Sequence, residues 1–414
     1  MAMAYLDHAA TTPVLPAVAV AVAEAMTIVG NASSLHASGR LARRRVEEAR
    51  ESIATSLGAH PTEVLFTSGG TESDNLAVIG LFRSRTVADP RRRRILVSAA
   101  EHHAVLDPVE HLAATSGARI EWLPVDDAGR VTAEAFGSAL AKDTDEIALA
   151  TVMWANNEVG TVNDVPAIAD AARAAGVPLH TDAVQAAPIL DVDFRRSSAA
   201  ALSVAGHKLG GPGGTGVLLL RRDTGVLPLV HGGGQERGMR SGTLDVAGIA
   251  GLATAVEDAV THRNERAVEA TRLRDRLING MATEVPEAVL SGDNGRGSIA
   301  GGPSRLPGNA HFRFPGCDAE SLLMLLDAAG VECSAGSACS AGVTRASHVL
   351  LAMGADEPAA RSCLRFSLGH TSSDADIDAL LAVIGPAVDR ARSAGHTRRR
   401  APAPSPNAPA AVPV

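Results

Sequence analysis

The chain has 414 residues and a formal net charge of -8; 46% of its residues are hydrophobic and 2% are aromatic. A chain of this length is too long for one simple core and predicts two domains. The acidic balance argues against direct binding of nucleic acid, because a protein that holds a phosphate backbone needs a basic surface.

The four cysteines show neither C-x-x-C pairing nor zinc-like spacing with histidines, so we expect no metal site and no disulfide framework. This use of cysteine fits a reducing compartment. No stretch approaches the ~18 uncharged apolar residues that span a bilayer, and the amino terminus has no apolar run typical of a secretion signal. We therefore predict a cytoplasmic location and no membrane partner.

The first half of the chain alternates between helical and strand patterns. After helices predicted at 16–29 and 38–57, short apolar runs alternate with amphipathic stretches from about residue 62. This alternation is typical of an α/β fold with a mostly parallel sheet covered by helices. The predicted strands are 64–68, 94–99, 119–125, 147–154, 177–183 and 216–222, and the predicted helices between them are 71–85, 104–116, 132–141 and 164–175.

The second half predicts a smaller α+β unit after long helices at 246–284. Its expected strands and helices are 309–314, 318–329, 345–353, 363–368 and 374–392. The final segment is rich in proline and alanine and has no periodicity, so we expect it to be disordered. The predicted organisation is a large domain at 15–260, a small domain at 1–14 and 261–395, and a tail at 396–414.

The sequence SVAGHKLGGPGGTG at 203–216 carries Lys208 directly after a histidine and before a glycine-rich turn. Such a turn lets other groups approach closely, which suits a lysine that forms a Schiff base in a crowded pocket. A solvated lysine is the alternative. Asp182, in TDAVQ, ends an earlier predicted strand, where a carboxylate could pair with a pyridine nitrogen. Pyridoxal 5'-phosphate (PLP) chemistry needs both groups.

Further motifs follow the ends of other predicted strands. Gly70 and Thr71 begin a helix after a strand, where free N–H groups and the helix dipole favour a phosphate, although such a turn is also an ordinary helix start. His102 could lie flat on a pyridine ring or could cap the next helix. Asn157 and Gln185 could bind a ring hydroxyl. All of these places lie at one edge of the expected sheet, where open α/β sheets bind ligands.

Two side chains of the second half are candidates for chemistry. Cys339 lies among Ser, Ala and Gly in VECSAGSACSAGV, which leaves little to pack and favours a reactive thiol over a structural one. Arg365 alternates with apolar residues in LRFSLG, so its guanidinium should point to one face of a strand. There it could bind a substrate carboxylate or form a buried ion pair between domains.

Together these segments closely resemble the cysteine desulfurases of the NifS/IscS type, which have the aspartate-aminotransferase-like PLP fold type I. The resemblance implies a large domain with a mostly parallel seven-stranded sheet and a smaller α+β domain. The resemblance runs from YLDHAATTP at 5–13 to LRFSLG at 364–369 and includes NASSLH at 31–36 and GGGQERGMRSGT at 232–243. Departures are Ala205 in place of a usual serine, Ala32 in place of a usual proline, and GPGG in place of GPKG.

The resemblance implies a role for each candidate. PLP would be bound covalently by Lys208, with Asp182 paired to its pyridine nitrogen and His102 stacked on its ring. The ring hydroxyl would contact Asn157 and Gln185, and the phosphate would be bound by Gly70, Thr71 and His207. Thr243 would reach the phosphate of the neighbouring subunit's cofactor, which implies a homodimer.

The same resemblance implies the reaction. Arg365 and Asn157 would orient the carboxylate of L-cysteine, and Lys208 and His102 would transfer protons. Cys339 would receive the sulfur as a persulfide and pass it to an acceptor protein such as an iron–sulfur scaffold. Two rival interpretations remain: a PLP aminotransferase, which has no use for Cys339, and a non-enzymatic scaffold, which would bind no PLP.

Overall fold

The computed structural model of the chain describes residues 3–335 and 345–400. In chain order, the α-helices of these ranges are α1 (Pro16–Met26), α2 (Ala37–Ser56), α3 (Gly70–Ala88), α4 (His103–Ser116), α5 (Ala133–Leu140), α6 (Val165–Ala174), α7 (Phe194–Ser197), α8 (Val246–Glu284), α9 (Ala319–Ala328), α10 (His348–Ala352), α11 (Glu357–Ala360) and α12 (Asp374–Arg400).

The strands of the same ranges are β1 (Ala4–Tyr5), β2 (Val64–Thr67), β3 (Arg94–Ser98), β4 (Arg119–Leu123), β5 (Ile147–Thr151), β6 (Leu179–Asp182), β7 (Ala201–Ala205), β8 (Gly216–Leu220), β9 (Val289–Leu290), β10 (Ser298–Ile299), β11 (Gly302–Pro303), β12 (Asn309–Arg313), β13 (Val331–Glu332) and β14 (Cys363–Ser367).

The main sheet has seven strands in the order β2-β8-β7-β6-β5-β3-β4. The pairs from β7 to β4 are parallel, while β8 runs antiparallel to both β2 and β7. The α/β class and the mostly parallel seven-stranded sheet are therefore confirmed. Side chains alternate between two hydrophobic cores, one on each face: Val64 and Phe66 pack into one and Leu65 into the other.

Strand β7 was not predicted, although it leads directly to Lys208. Its sequence, ALSVA, contains two alanines and a serine and follows two more alanines, so it lacks the run of β-branched residues that identifies a strand. All five residues are buried. The position of the strand between two others in the sheet, rather than its own propensity, decides its conformation.

A separate hydrophobic core belongs to the second part of the chain. Strands β14, β12 and β9 form an antiparallel sheet, and β1 pairs in parallel with β13, so the amino terminus packs beside this later unit. Helix α8 is one continuous helix of 39 residues, not several, and contributes to both units: Leu252 packs into the first core and Leu277 into the second. The proposed boundary near residue 260 lies inside this helix, and the division into domains stays a prediction.

Other helix ends differ modestly from those expected. Helix α10 begins at His348 rather than near 345, because the side chain of Ser347 accepts a hydrogen bond from Leu350 N and caps the helix. Helix α12 continues to Arg400, so the first residues of the predicted tail are helical. Residues 401–414 lie outside the described ranges. None of the helices within those ranges is both long and apolar enough to cross a bilayer.

Candidate active site

A cavity of about 450 Å³ lies at the carboxyl edge of the main sheet. Because β3, β6 and β7 are parallel, the residues that follow them meet at this edge. Nine of the predicted site residues line the cavity: Gly70, Thr71, His102, Asn157, Asp182, Gln185, His207, Lys208 and Arg365. Thr243 is exposed and does not line it, and Cys339 lies outside the described residues.

Lys208 lies in a short 3-10 turn directly after β7. Its Nζ donates hydrogen bonds to the carbonyl oxygens of Ala9 (2.5 Å) and Ala10 (2.6 Å) in the amino-terminal segment. The pKa of the amine is lowered to about 8. Burial is the largest cause, and the nearby Arg365 guanidinium contributes to the same change. A substantial fraction of the amine is then neutral near pH 8, which makes it a competent nucleophile.

Asp182 is the last residue of β6 and is almost completely buried. One of its carboxylate oxygens accepts a hydrogen bond from Val184 N at 2.8 Å. Burial raises the pKa of this carboxyl to about 7, and the nearby Asp74 carboxyl raises it too. A buried carboxyl in this position favours a cationic partner, because a positive charge would offset the cost of removing the carboxylate from water.

A buried polar network lies around Asp182, and sequence reasoning missed it. His180 Nε2 lies 3.0 Å from Ser203 Oγ and 3.4 Å from Asp74 Oδ1, and burial raises the pKa of Asp74 to about 7. Glu101 is fully buried, accepts a hydrogen bond from Met153 N, and has a strongly raised pKa because of burial. Asp74 lies three residues after Thr71 and Glu101 lies directly before His102, but nothing in their residue type indicates burial.

The amino terminus of α3 forms a further part of the cavity wall. Gly70 is the first residue of this helix, and a Cβ at Gly70 would lie 2.9 Å from Val184 Cγ2. A glycine is therefore needed for the close packing of the helix start against the loop after β6. The unpaired N–H groups of the first turn, Thr71 and the imidazole of His207 border the same space. Such a site favours an anion such as a phosphate group.

His102 caps helix α4, which was one of its two predicted roles, and it also lines the cavity. Its Nδ1 accepts a hydrogen bond from Ala104 N at 3.1 Å, so the residue caps α4. This bond leaves the proton of the neutral ring on Nε2. Burial lowers the pKa of His102 to about 4, and the Lys208 ammonium adds to this effect, so the ring is neutral at physiological pH.

Arg365 makes the ion pair that was considered as the alternative to carboxylate binding. Its Nη2 lies 2.8 Å from Asp7 Oδ1, and its Nη1 donates to the Asn157 carbonyl oxygen at 2.8 Å. The guanidinium nevertheless borders the cavity. Asp7 belongs to the YLDHAATTP segment at 5–13, whose pattern alone does not indicate that it is a site residue. Gln185 donates a hydrogen bond to Ala9 O at 3.0 Å, so the same amino-terminal segment contacts two further site residues.

Comparison with known proteins identifies the family. Residues 4–380 match the class-V aminotransferase family. The chain is 56% identical over 392 residues to the "IscS-like cysteine desulfurase" of Mycobacterium tuberculosis, which covers 95% of this chain and 98% of that protein. The chain belongs to the NifS/IscS-type cysteine desulfurases of the class-V aminotransferase family. It is also 40% identical over 395 residues to "Cysteine desulfurase NifS" of Azotobacter vinelandii, covering 95% and 94% of the two chains.

Solved structures of this family have the same fold. A "NIFS-like protein" superposes with a TM-score of 0.84 at 31% identity, over 94% of this chain and 100% of that one. DndA from Streptomyces lividans superposes with a TM-score of 0.72 at 37% identity, over 88% and 99%. The desulfurase therefore has PLP fold type I, and its cofactor is PLP.

The residues of the cavity fit this cofactor. The buried Asp182 carboxyl suits a protonated pyridine nitrogen, and the first turn of α3 at Gly70 suits the phosphate. Lys208 lines the same cavity, as a covalent bond to the cofactor aldehyde requires. These three features have different chemistry and match the three different ends of one small molecule.

Proposed function

We propose that this desulfurase removes sulfur from L-cysteine, releases L-alanine and carries the sulfur as a persulfide on Cys339. The observation that supports the proposal best is the cavity itself, in which Lys208, Asp182 and the start of α3 lie together in a chain of this family. The bound PLP would supply an electron sink for the substrate's Cα electrons.

The proposed cofactor contacts use the geometry described above. Lys208 would bind PLP covalently, Asp182 would pair with its ring nitrogen, and His102 would lie against the ring. Two amides would reach the ring hydroxyl, and three residues near the start of α3 would hold the phosphate. The two amides are those of Asn157 and Gln185, and the three phosphate-binding residues are Gly70, Thr71 and His207.

The substrate carboxylate would bind Arg365, with Asn157 beside it. The contact of Arg365 Nη1 with the Asn157 carbonyl oxygen couples these two residues, and the Asp7 carboxylate holds the other end of the guanidinium. A fixed guanidinium plane favours a planar carboxylate over other anions. This arrangement would therefore select an α-amino acid and orient its side chain toward the space in front of Lys208.

Lys208 and His102 are the proposed proton carriers. The Lys208 amine has a pKa of about 8, which suits both accepting and donating a proton near neutral pH. His102 is neutral, because burial lowers its pKa to about 4, so its ring can stack without bringing a second positive charge beside the lysine. Lys208 would move a proton between the substrate and the solvent.

Cys339 is the proposed sulfur acceptor. Its thiolate would attack the substrate sulfur, so that the S–S bond forms while the C–S bond breaks and its electron pair stays with the carbon fragment that becomes alanine after protonation. The other three thiols are poor nucleophiles, because burial raises the pKa of Cys317 and Cys333 and raises that of Cys363 to about 12.

The proposal includes a homodimer, a cytoplasmic location and an acceptor protein such as an iron–sulfur scaffold. Thr243 would contact the phosphate of the other subunit's cofactor. Its exposed position, away from the cavity of its own chain, supports this assignment. The absence of paired cysteine motifs in the sequence supports the reducing compartment.

The replacement Cys339→Ser tests the function. The variant should bind PLP and change its absorption spectrum when L-cysteine is added, yet form almost no alanine and release no sulfide with a reductant. The wild type, treated with cysteine alone, should gain about 32 Da on the peptide that carries residue 339, the mass of one sulfur atom.

Cys363→Ala and Cys317→Ala serve as matched controls and should keep most of the activity, because those thiols are buried away from the cavity. Near wild-type production of alanine and sulfide by Cys339→Ser would refute the acceptor role and favour a simple PLP lyase. Full activity of that variant in amino-group transfer would favour an aminotransferase.

A further inference from the structure

The loop that carries Thr243 has an unusual backbone. We define it as the Thr243 loop, residues 232–243, which connects the region after β8 to α8. Glu236 and Arg237 are consecutive non-glycine residues in the left-handed region, with φ of 46° and 58°. L-residues rarely adopt this conformation, and it persists only where surrounding contacts enforce it. Contacts with the surrounding structure, rather than the backbone preferences of its own residues, must therefore hold the loop in this conformation.

A buried ion pair supplies that restraint. Arg50, on α2, donates from Nη2 to Glu236 Oε1 at 2.6 Å and from Nη1 to Glu236 Oε2 at 3.0 Å. Both side chains are almost inaccessible to solvent, with relative exposures of 5% and 1%. Two parallel bonds of this kind fix the carboxylate in distance and in plane. We refer to Arg50 and Glu236 as the loop anchor.

The loop anchor is itself fixed to the main sheet. Arg50 Nη1 also donates to Val64 O at 2.7 Å, and Glu236 Oε2 accepts from Phe66 N at 3.0 Å, so both partners are bonded to β2. The guanidinium lies 4.6 Å from the centre of the Phe66 ring, a favourable cation–π distance. The anchor therefore joins α2, β2 and the Thr243 loop into one rigid corner.

A second ion pair connects the same loop to the proposed phosphate site of its own chain. Arg240 Nε lies 2.8 Å from Glu72 Oε1, and Glu72 belongs to the first turn of α3, two residues after Gly70. Burial alone would raise the pKa of Glu72, but the hydrogen bonds from Arg240 and Ser68 outweigh it and lower the pKa. Glu72 thus stays ionised at the helix start.

Buried ion pairs are costly to form, since the loss of hydration offsets much of their attraction. An apolar pair could have filled the same corner, so stability alone is a weak reason for this one. A bidentate pair does provide a defined geometry, and the segment that it holds ends seven residues after Glu236, at Thr243. A residue that contacts a cofactor in another subunit must be held at a defined position. The fixed geometry of the ion pair would therefore matter more than its contribution to the stability of the fold.

From these contacts we infer that Arg50 and Glu236 are positioning residues for the neighbouring subunit's cofactor: they hold the Thr243 loop so that Thr243 reaches the phosphate across the dimer interface. This inference rests on the dimer and on the Thr243 contact of the proposed function. Neither Arg50 nor Glu236 touches the cavity of its own chain. The separate Arg240–Glu72 pair would still hold the loop to the chain's own α3 when the anchor is changed, so we expect the effect of Arg50 and Glu236 on the partner's site.

The test uses heterodimers of the full-length holoenzyme with one intact cofactor lysine. In the first, one chain carries Lys208→Ala together with Arg50→Lys, and its partner is wild type. In the second, one chain carries Lys208→Ala and the partner carries Arg50→Lys. Borohydride reduction at intervals after dilution into PLP-free buffer measures the cofactor that remains on the intact Lys208, so the measurement does not depend on catalysis.

We expect cofactor loss to be roughly tenfold faster in the first heterodimer, about the effect of one lost hydrogen bond to a charged acceptor, and unchanged in the second. Thr243→Ala in place of Arg50→Lys should give the same pattern. The double variant Arg50→Lys/Thr243→Ala should lose PLP no faster than Thr243→Ala alone, because the anchor acts through the threonine. A merely structural role would produce additive effects.

Arg45→Lys is the matched control, since Arg45 lies on the same helix and pairs with Glu48 at the surface. It should change nothing in either heterodimer. Glu236→Gln provides a second variant if Arg50→Lys fails to fold, because it keeps the shape of the side chain but removes its charge.

Equal loss in both heterodimers, an effect restricted to the second, or additive effects with Thr243→Ala would overturn the inference. These outcomes are distinguishable from a failure of the desulfurase reaction. That failure would appear as missing alanine and sulfide in the wild type, whereas cofactor retention would be measured independently.

Discussion

At the residue scale, burial favours the neutral forms of Lys208, His102 and Asp182. The pKa of Lys208 is lowered to about 8 and that of His102 to about 4, while the pKa of Asp182 is raised to about 7, and in each case burial is the largest cause. PLP would bring two charges to this site, a phosphate anion and a pyridinium cation. The pyridinium would favour the ionised form of the Asp182 carboxyl, and the phosphate would favour the cationic form of a nearby amine.

Ala205 offers a test of how completely the phosphate is bound. This residue ends β7, lines the cavity, and has its Cβ 3.4 Å from the position that a Cβ at Gly70 would take. Ala205→Ser should add a hydroxyl beside the start of α3 and strengthen PLP retention by about 1 to 2 kcal/mol, or roughly five- to thirtyfold in the dissociation constant. Equilibrium dialysis of the holoenzyme measures this change.

Ala200→Ser is the control, because Ala200 is also buried but precedes β7 at the end opposite to the cavity. It should leave PLP retention unchanged. Unchanged or weaker retention in Ala205→Ser would show that water or another hydroxyl already satisfies the phosphate.

At the element scale, the amino-terminal segment 7–12 connects the two units at the active site. It accepts hydrogen bonds from Lys208, Gln185 and Arg365. A contact within the segment, between His8 Nδ1 and Thr12 Oγ1 at 2.6 Å, stabilises its conformation. An element of six residues without regular secondary structure therefore determines the position of three predicted site residues, and it does so through its backbone carbonyls and one carboxylate.

Gly369→Ala tests this segment. A Cβ at Gly369 would lie 2.1 Å from His8 Nδ1, so the imidazole and the segment behind it must move. We expect a lower urea midpoint, equivalent to about 1 to 3 kcal/mol of overpacking, together with a raised KM for L-cysteine as Arg365 loses its Asp7 partner. Urea unfolding followed by circular dichroism and steady-state kinetics measure the two effects.

Gly213→Ala is the corresponding control, since a Cβ at Gly213 meets no atom within 4 Å. It should alter neither quantity. A Gly369→Ala variant with wild-type stability and kinetics would mean that the segment tolerates displacement and does not position the site.

At the scale of the whole molecule, α8 is the main covalent and packing connection between the two units. Its 39 residues extend about 58 Å, and its buried residues divide between two separate cores. It also contacts α1 and α2 at one end and α12 at the other. A helix is cooperative along its length, so disorder in one half is expected to affect the other.

Leu252→Ala and Leu277→Ala test this coupling, because both leucines are fully buried on the same helix but in different cores. Each should destabilise the protein by about 2 to 5 kcal/mol, and both should move the same unfolding transition. Differential scanning calorimetry of the apoenzyme provides the measurement. Two separate transitions, with Leu277→Ala moving only one, would instead support independently folding domains with a boundary near 260.

The sequence by itself determined the features that depend on local pattern. Apolar periodicity predicted most strands and helices of the main sheet, because each of those elements carries its own signal. The motifs around Lys208, Asp182 and Gly70 predicted a common cavity, since residues after parallel strands meet at one edge of the sheet. Nine of the predicted site residues do line that cavity, and the family assignment from the same motifs is confirmed.

Only the tertiary structure decided the features that depend on distant parts of the chain. Strand β7 forms because its neighbours in the sheet pair with it, although alanine and serine give it little propensity of its own. Asp7 meets Arg365 across 358 residues, and Arg50 meets Glu236 across 186. Burial of a carboxyl such as Glu101 is likewise set by what packs around it. A side chain's type states what it can bind, but its partner and its degree of hydration are properties of the folded chain.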